Sequence, residues 1–183
     1  MKKLFFAAAL LGLSAPALAQ DAGLQAWDKI HTVLSHPRCA NCHTPDDHPR
    51  WGSEAAGTAK IHPMNVMRGS DGMGNPGQRC ATCHGEANAT RENAPPGAPF
   101  WHLAPVEMVW FGKSSAEICA QIKDPARNGN RTLADIAEHV KNDKLVAWGW
   151  APGPGREPAP GSAEEAYANL TKWMDAGAPC PAN

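Results

Sequence analysis

Two short segments of the sequence place cysteines and a histidine at a spacing that suits one particular chemistry. Residues 39–43 are Cys-Ala-Asn-Cys-His, and residues 80–84 are Cys-Ala-Thr-Cys-His. Two cysteines three positions apart on a helical turn can each form a thioether with one haem vinyl group, and the histidine that follows can then reach the iron. The sequence therefore predicts two covalently bound c-type haems, with thioethers at Cys39, Cys42, Cys80 and Cys83 and proximal iron ligands at His43 and His84.

The same four cysteines allow two other interpretations. A Cys₄ zinc site could use all four thiols, and a redox-active dithiol could use either pair. Neither interpretation gives a role to the histidine that directly follows each pair. We therefore favour haem attachment over both.

The sixth ligand of each iron is expected from a loop that follows the motif. His62 follows His43 and His102 follows His84 at nearly the same spacing, each within a proline-containing loop. We predict His62 as the distal ligand of the first haem and His102 as that of the second. The alternatives are a histidine on a later helix and three thioethers: His139, Met64, Met67 and Met108.

The two motifs lie too close together for two conventional cytochrome c domains in tandem. The chain between Cys39 and Cys80 is shorter than one such domain. The sequence therefore predicts that residues 20–183 form one compact domain that holds both haems near each other. At that proximity, electron exchange between the two haems should be fast.

The elements that must position the motifs are predicted to be helices joined by long loops. Apolar residues recur on one helical face over 21–35, directly before the first motif. Ser114 and Ser162 each precede a glutamate by three residues, a capping-box spacing, and Thr132 is a third candidate cap. With 17 glycines and 17 prolines in 183 residues, much of the chain must be loop. The predicted fold class is mostly α, a single loop-rich dihaem cytochrome c domain.

The first residues have the pattern of a secretory leader. Lys2 and Lys3 precede an apolar run over 4–13, and Ala17-Leu18-Ala19 fits the cleavage rule of signal peptidase. The apolar run is shorter than the roughly 20 residues that a membrane span needs. We predict a signal peptide over 1–19, cleavage after Ala19, and a periplasmic protein without a membrane span.

Two cysteines stand outside the motifs, at Cys119 and Cys180. Export places the chain in an oxidising compartment, where paired cysteines form disulfides. We predict a Cys119–Cys180 disulfide, with two buried free thiols as the alternative.

The charge distribution limits the choice of partners. The sequence carries 17 basic and 18 acidic residues, a formal net charge of −1, and it has no basic stripe. Nucleic acid is therefore not an expected partner. The expected partners are redox proteins.

Four segments of the sequence resemble a known bacterial family. They are Ser35–His43, the block from His62-Pro63 to Arg68-Gly69, Trp101–Pro105 and Ala147–Trp150. The family consists of small exported dihaem cytochromes c, often labelled isoquinoline 1-oxidoreductase subunit, and the likeness covers nearly the whole mature chain. Because the chain is far too short for a molybdopterin domain, the resemblance implies an electron-accepting partner of a molybdenum hydroxylase. It assigns no distal ligand.

These observations predict an electron carrier that performs no bond chemistry with its own side chains. It would take electrons from an upstream dehydrogenase and pass them to a downstream cytochrome or oxidase, with potentials set by axial ligands, hydrogen bonds and burial. The main alternative is a dihaem enzyme, a peroxidase or small-oxyanion reductase, with one open haem site. A haem-based sensor is less favoured because no second domain is evident to receive a signal.

Overall fold

The structure is a computed structural model that describes residues 15–182. Residues 1–14, most of the predicted signal peptide, lie outside the described residues. The helices are α1 (Ala15–Leu34), α2 (Pro37–Ala40), α3 (Ser115–Lys123), α4 (Leu133–Asn142), α5 (Lys144–Ala147) and α6 (Ala163–Asp175). The prediction of a mostly helical chain is confirmed. None of the helices in this part of the chain has the length and apolar character that a bilayer span needs.

Four two-residue strands form two small antiparallel hairpins. They are β1 (Arg50–Trp51) paired with β2 (Lys60–Ile61), and β3 (Gly74–Asn75) paired with β4 (Gln78–Arg79). Strands of two residues are too short to show the apolar–polar alternation by which strands are found in a sequence. Both hairpins lie between the two cysteine motifs, where a loop was expected.

The predicted helix caps are present. The hydroxyl of Ser114 accepts the Glu117 amide while the Glu117 carboxylate accepts the Ser114 amide, and Thr132 with Asp135 repeats this arrangement at the start of α4. Ser162 accepts the Glu165 amide at the start of α6. Within the described residues, helix α1 extends back from Asp21 to Ala15, because alanine, leucine and glutamine are good helix formers.

Two tryptophans form the centre of the core. Trp27 of α1 and Trp173 of α6 are fully buried, with ring centres 5.0 Å apart. Each buried indole N–H is paired, Trp27 with the Ser115 hydroxyl at 2.8 Å and Trp173 with the Pro179 carbonyl at 2.7 Å. Aliphatic residues of α1, α3, α4 and α6 pack around them: Ile30, Leu34, Ile118, Ile122, Ile136, Val140 and Leu170.

Trp173→Ala is expected to destabilise the protein by about 3–5 kcal/mol, because it removes a fully buried aromatic and leaves a cavity. Chemical denaturation followed by circular dichroism measures the loss. Trp51→Ala is the matched control: Trp51 is 48% exposed, so its replacement should change stability by about 0.5 kcal/mol or less. Equal losses for the two variants would show that the Trp27–Trp173 pair is not the centre of the core.

A disulfide joins the core to the segment that follows the last helix. Cys119 of α3 is bonded to Cys180, with the two Cα atoms 5.7 Å apart. The predicted pairing is confirmed. In the chain-entropy model, closing a loop with a sequence separation of 61 stabilises the fold by about 4 kcal/mol.

Each motif begins on a single helical turn. Cys39 lies on α2, which follows α1 after His36, and the Cys42 amide bonds to the Cys39 carbonyl at 3.1 Å. The second motif begins on a 3-10 turn over Cys80–Thr82, directly after β4, and the Cys83 amide bonds to the Cys80 carbonyl at the same distance. Both turns have the local geometry that the motif spacing predicts.

Candidate cofactor sites

The His43 side chain is held on two sides. Its Nδ1 lies 3.1 Å from the Met108 carbonyl oxygen. Its ring stacks on the indole of Trp110, with ring centres 3.4 Å apart and planes 3° from parallel. The Trp110 amide donates in turn to the His43 carbonyl at 2.9 Å. These contacts fix the ring and leave Nε2 as the free nitrogen.

The His84 side chain repeats this arrangement. Its Nδ1 lies 2.8 Å from the Pro96 carbonyl oxygen, and its ring stacks on Trp101 with centres 4.4 Å apart and planes 6° from parallel. Metal-bound histidines nearly always donate their second ring N–H to a carbonyl, carboxylate or water, which fixes the tautomer and the ring orientation. Both motif histidines therefore have the support that a metal ligand requires.

Burial keeps the His43 ring uncharged. It lowers the pKa of His43 to about 3, and burial also lowers the pKa of His84. An imidazole binds a metal in its neutral form. The environment of both rings thus favours the protonation state that ligation needs.

The motif cysteines differ in exposure. None of the four is paired in a disulfide, and Cys83 is the most exposed. Burial raises the pKa of Cys39 to about 12 and that of Cys42 to about 11. A redox-active dithiol has the opposite property, a lowered thiol pKa.

A large cavity adjoins the first motif. Its volume is about 680 Å³, within the range of roughly 300–1,000 Å³ that is typical of small-molecule and cofactor sites. Cys39, Cys42 and His43 are among the residues that line it. The lining also includes the loops over 68–72 and 101–105 and apolar residues on or near α4 and α5: Leu103, Ile136, Val140, Leu145, Val146 and Trp148.

The second motif adjoins a smaller hollow of about 160 Å³. His84 lines it together with Met73, Ala98, Phe100 and Trp101. The Cys83 side chain lies outside at the surface, and Phe100 is also exposed. A macrocycle held by the second motif would therefore be more open to solvent than one held by the first.

The structure brings His62 to His84, not to His43. The two rings have centres 6.1 Å apart and planes at 60°. His62 directly follows β2, and its amide bonds to the Pro49 carbonyl at 3.0 Å, so the β1–β2 hairpin sets its position. This geometry favours the second motif for His62, whereas spacing alone favours the first.

At this separation His62 and His84 could both hold one haem iron, each through a ring nitrogen.

The chain matches none of the known protein families, curated proteins or solved structures with which it was compared.

His102 and His139 both lie on the wall of the larger cavity, which they share with His43. His102 follows Trp101, whose ring stacks on His84 and also lines this cavity. This position favours the first motif for His102, whereas spacing alone favours the second. His139 lies on α4 with its Nδ1 3.5 Å from a carboxylate oxygen of Asp143.

The three methionine candidates are placed differently. Met64 is 65% exposed and Met67 is 37% exposed, on the loop that follows His62. Met108 lines the larger cavity, and its carbonyl oxygen lies 3.1 Å from Nδ1 of His43.

Among residues 15–182, no three or more histidine, cysteine or carboxylate side chains are grouped so as to hold a metal ion. A haem iron takes only two axial ligands from the protein, so this grouping does not bear on haem.

A buried arginine, Arg68, braces the lining of the larger cavity. Arg68 donates to the Thr44 hydroxyl at 3.2 Å, to the Asp46 carbonyl at 2.8 Å and to the Ala104 carbonyl. Arg68 thereby links the loop that follows the first motif to its own loop and to the loop that contains Ala104. Sequence reasoning did not single out this role, because a lone arginine in a loop gives no signal of burial.

Proposed function

We propose that the chain is a dihaem c-type cytochrome of a single domain whose function is electron transfer. The observation that carries the proposal is the pair His62–His84, whose ring centres lie 6.1 Å apart, so that both imidazoles could hold one iron beside the second motif. When bound, each haem supplies a one-electron Fe(III)/Fe(II) couple. The chain supplies thioether links at Cys39, Cys42, Cys80 and Cys83, proximal ligands at His43 and His84, and distal ligands at His62 and His102.

The arrangement of the motif histidines supports a carrier over an enzyme. Both rings are fixed by a carbonyl and a stacked indole, and each has at least one further histidine in reach of the same site. Six-coordinate iron leaves no site at which a substrate can bind. The side chains of this chain then only bind, orient and shield the cofactor, which sets its potential.

The exposed second site is the proposed contact for redox partners. Ile61 and Met64 are exposed on either side of His62, and Phe100 is exposed beside the hollow at His84. Apolar groups at the surface are typical of places where another protein binds. We propose that an oxidoreductase donates electrons to the chain and that a cytochrome or oxidase accepts them.

The family resemblance gives the proposal a more specific form. It supports a periplasmic protein, exported by a leader that ends near Ala19, that accepts electrons from a molybdenum hydroxylase. The disulfide in the structure is compatible with an oxidising compartment.

A spectroscopic experiment on the purified holoprotein tests the carrier function. Both irons are expected to be low-spin in the optical and EPR spectra at neutral pH, and the reduced protein should bind carbon monoxide poorly. It should also exchange electrons with soluble redox proteins without turning over hydrogen peroxide, nitrite or sulfite. A native high-spin haem that binds carbon monoxide rapidly and supports such turnover would show that the dihaem enzyme is the correct alternative.

A further inference from the structure

Trp101 contacts parts of both candidate sites. One face of its indole stacks on His84, with ring centres 4.4 Å apart and planes 6° from parallel. The same side chain lines the larger cavity, which Cys39, Cys42 and His43 also line. It is also among the residues of the smaller hollow. A single ring therefore contacts the proximal histidine of the second motif and lines the cavity of the first.

A second tryptophan extends the contact toward the first motif. Trp148 meets Trp101 edge to face, with ring centres 4.9 Å apart and planes at 77°. The guanidinium of Arg38, the residue before Cys39, lies 5.5 Å from the centre of the Trp148 ring. The Trp148 indole N–H donates to the side-chain oxygen of Asn88 at 3.0 Å, which fixes its orientation. Packed side chains thus run without interruption from His84 to the first motif.

Trp110 provides a natural comparison. It stacks on His43 even more closely, with ring centres 3.4 Å apart, and it lines the larger cavity. Within the described residues, the smaller hollow at His84 is lined by Trp101 and not by Trp110. The two indoles therefore hold equivalent histidines, but only Trp101 reaches both sites.

We propose that Trp101 is a positioning residue that couples the two haem sites, so that electron exchange between them depends on this ring. This inference rests on the proposed function. The physical reason is contact: a close-packed aromatic transmits a shift of one ligand to its neighbours, and a void on one side forfeits those contacts. Replacing Trp101 should consequently disturb both haems, whereas replacing Trp110 should disturb only the first.

The experiment compares Trp101→Leu and Trp101→Phe with the matched variants Trp110→Leu and Trp110→Phe in the holoprotein. The readouts are the low-spin EPR signal and the reduction potential of each haem, and the rate of electron exchange after flash reduction. Proteins that keep one attachment motif, Cys39→Ala/Cys42→Ala and Cys80→Ala/Cys83→Ala, assign each signal to its haem.

Trp101→Leu is expected to shift the signals of both haems and to slow the exchange by about an order of magnitude, because a void replaces the packed ring. Trp101→Phe keeps an aromatic face on His84 and should cause smaller shifts in the same direction. Trp110→Leu should shift the signal of the first haem alone. A Trp101→Leu protein in which only the second haem changes, at an unchanged exchange rate, would overturn the coupling.

Two further measurements keep the outcome clear. If Trp101→Leu does not accumulate as folded protein, Trp101→Phe and Trp148→Phe carry the test, and unchanged exchange rates in both would reject the inference. A wild-type mass with fewer than two haems would instead overturn the proposed function. The two failures are therefore distinguishable.

Discussion

Replacement of Cys80 and Cys83 by alanine is expected to remove one covalently bound haem from the protein and to leave the other in place. Thioether bonds can form only at cysteine thiols, and the second motif supplies just these two. The first motif faces its own cavity of about 680 Å³, with walls that include α4 and α5. Its attachment should therefore survive the loss of its neighbour.

Intact mass after acid–acetone extraction measures the effect directly. The wild-type protein, expressed in a periplasm with haem-attachment machinery, should exceed the mass of its mature apo form by two haems. The Cys80→Ala/Cys83→Ala protein should exceed its own by one. Cys39→Ala/Cys42→Ala should give the same mass gain but lose the other haem, which the optical and EPR signals distinguish.

Cys119→Ala/Cys180→Ala is the matched control. It removes the same number of cysteines but breaks the disulfide of the core instead of an attachment site. This protein should be less stable, yet every molecule that folds should retain two haems. A wild-type protein that retains one haem or none after extraction would reject covalent attachment at two motifs.

The features that were predictable from the sequence are those that depend on residues near one another in the chain. The cysteine pairs and their histidines lie within five positions, and both motifs begin on a helical turn. The caps at Ser114 and Thr132 depend on a residue three positions away. The Cys119–Cys180 disulfide is a long-range contact, but it was predictable because these two cysteines stand outside the motifs.

The pairing of histidines across the two sites could not be found in this way. Similar spacing of His62 after His43 and of His102 after His84 assumed that each loop folds back over its own motif. In the structure the β1–β2 hairpin instead carries His62 toward the second motif, with its ring centre 6.1 Å from that of His84. Hairpins with two-residue strands leave no periodic pattern in the sequence, so the path of this loop was invisible there.

The stacking of tryptophans on the motif histidines could not be predicted from the sequence. The sequence has seven tryptophans, and their number does not show which ring meets which histidine. Trp110 meets His43 although the two residues lie 67 positions apart in the chain. Trp101 meets His84 through a proline-rich loop that also provides the Pro96 carbonyl. Such contacts depend on tertiary packing rather than on local sequence.

The positions of His62 near His84 and of His102 in the cavity with His43 predict which haem iron each histidine binds. In the Cys39→Ala/Cys42→Ala protein, which keeps only the second haem, His62→Ala is expected to convert a low-spin iron to high-spin and to create stoichiometric carbon monoxide binding. The reason is that His62 is the imidazole whose ring centre lies 6.1 Å from that of His84. His102→Ala in the same background should leave the spectrum low-spin and the reduced protein unreactive.

The protein that keeps only the first haem tests which histidine is the distal ligand of that haem. In the Cys80→Ala/Cys83→Ala background, His102→Ala should open the iron at His43 to carbon monoxide, and His62→Ala should not. His139→Ala is the matched control, because His139 lines the same cavity but is held on α4 beside Asp143. If His139→Ala opens the iron and His102→Ala does not, the distal ligand comes from α4 and the loop histidine only lines the cavity.

The opposite pattern would restore the pairing that spacing alone favours. Carbon monoxide binding after His102→Ala in the protein with only the second haem would show that each loop closes over its own motif. A methionine charge-transfer band in either single-haem protein would instead show that the distal ligand is a thioether rather than an imidazole. Met108, which lines the larger cavity, is the candidate thioether at the first site.

Bis-imidazole ligation lacks the thioether that raises potentials in His/Met cytochromes, so both haems are expected to have comparatively low potentials.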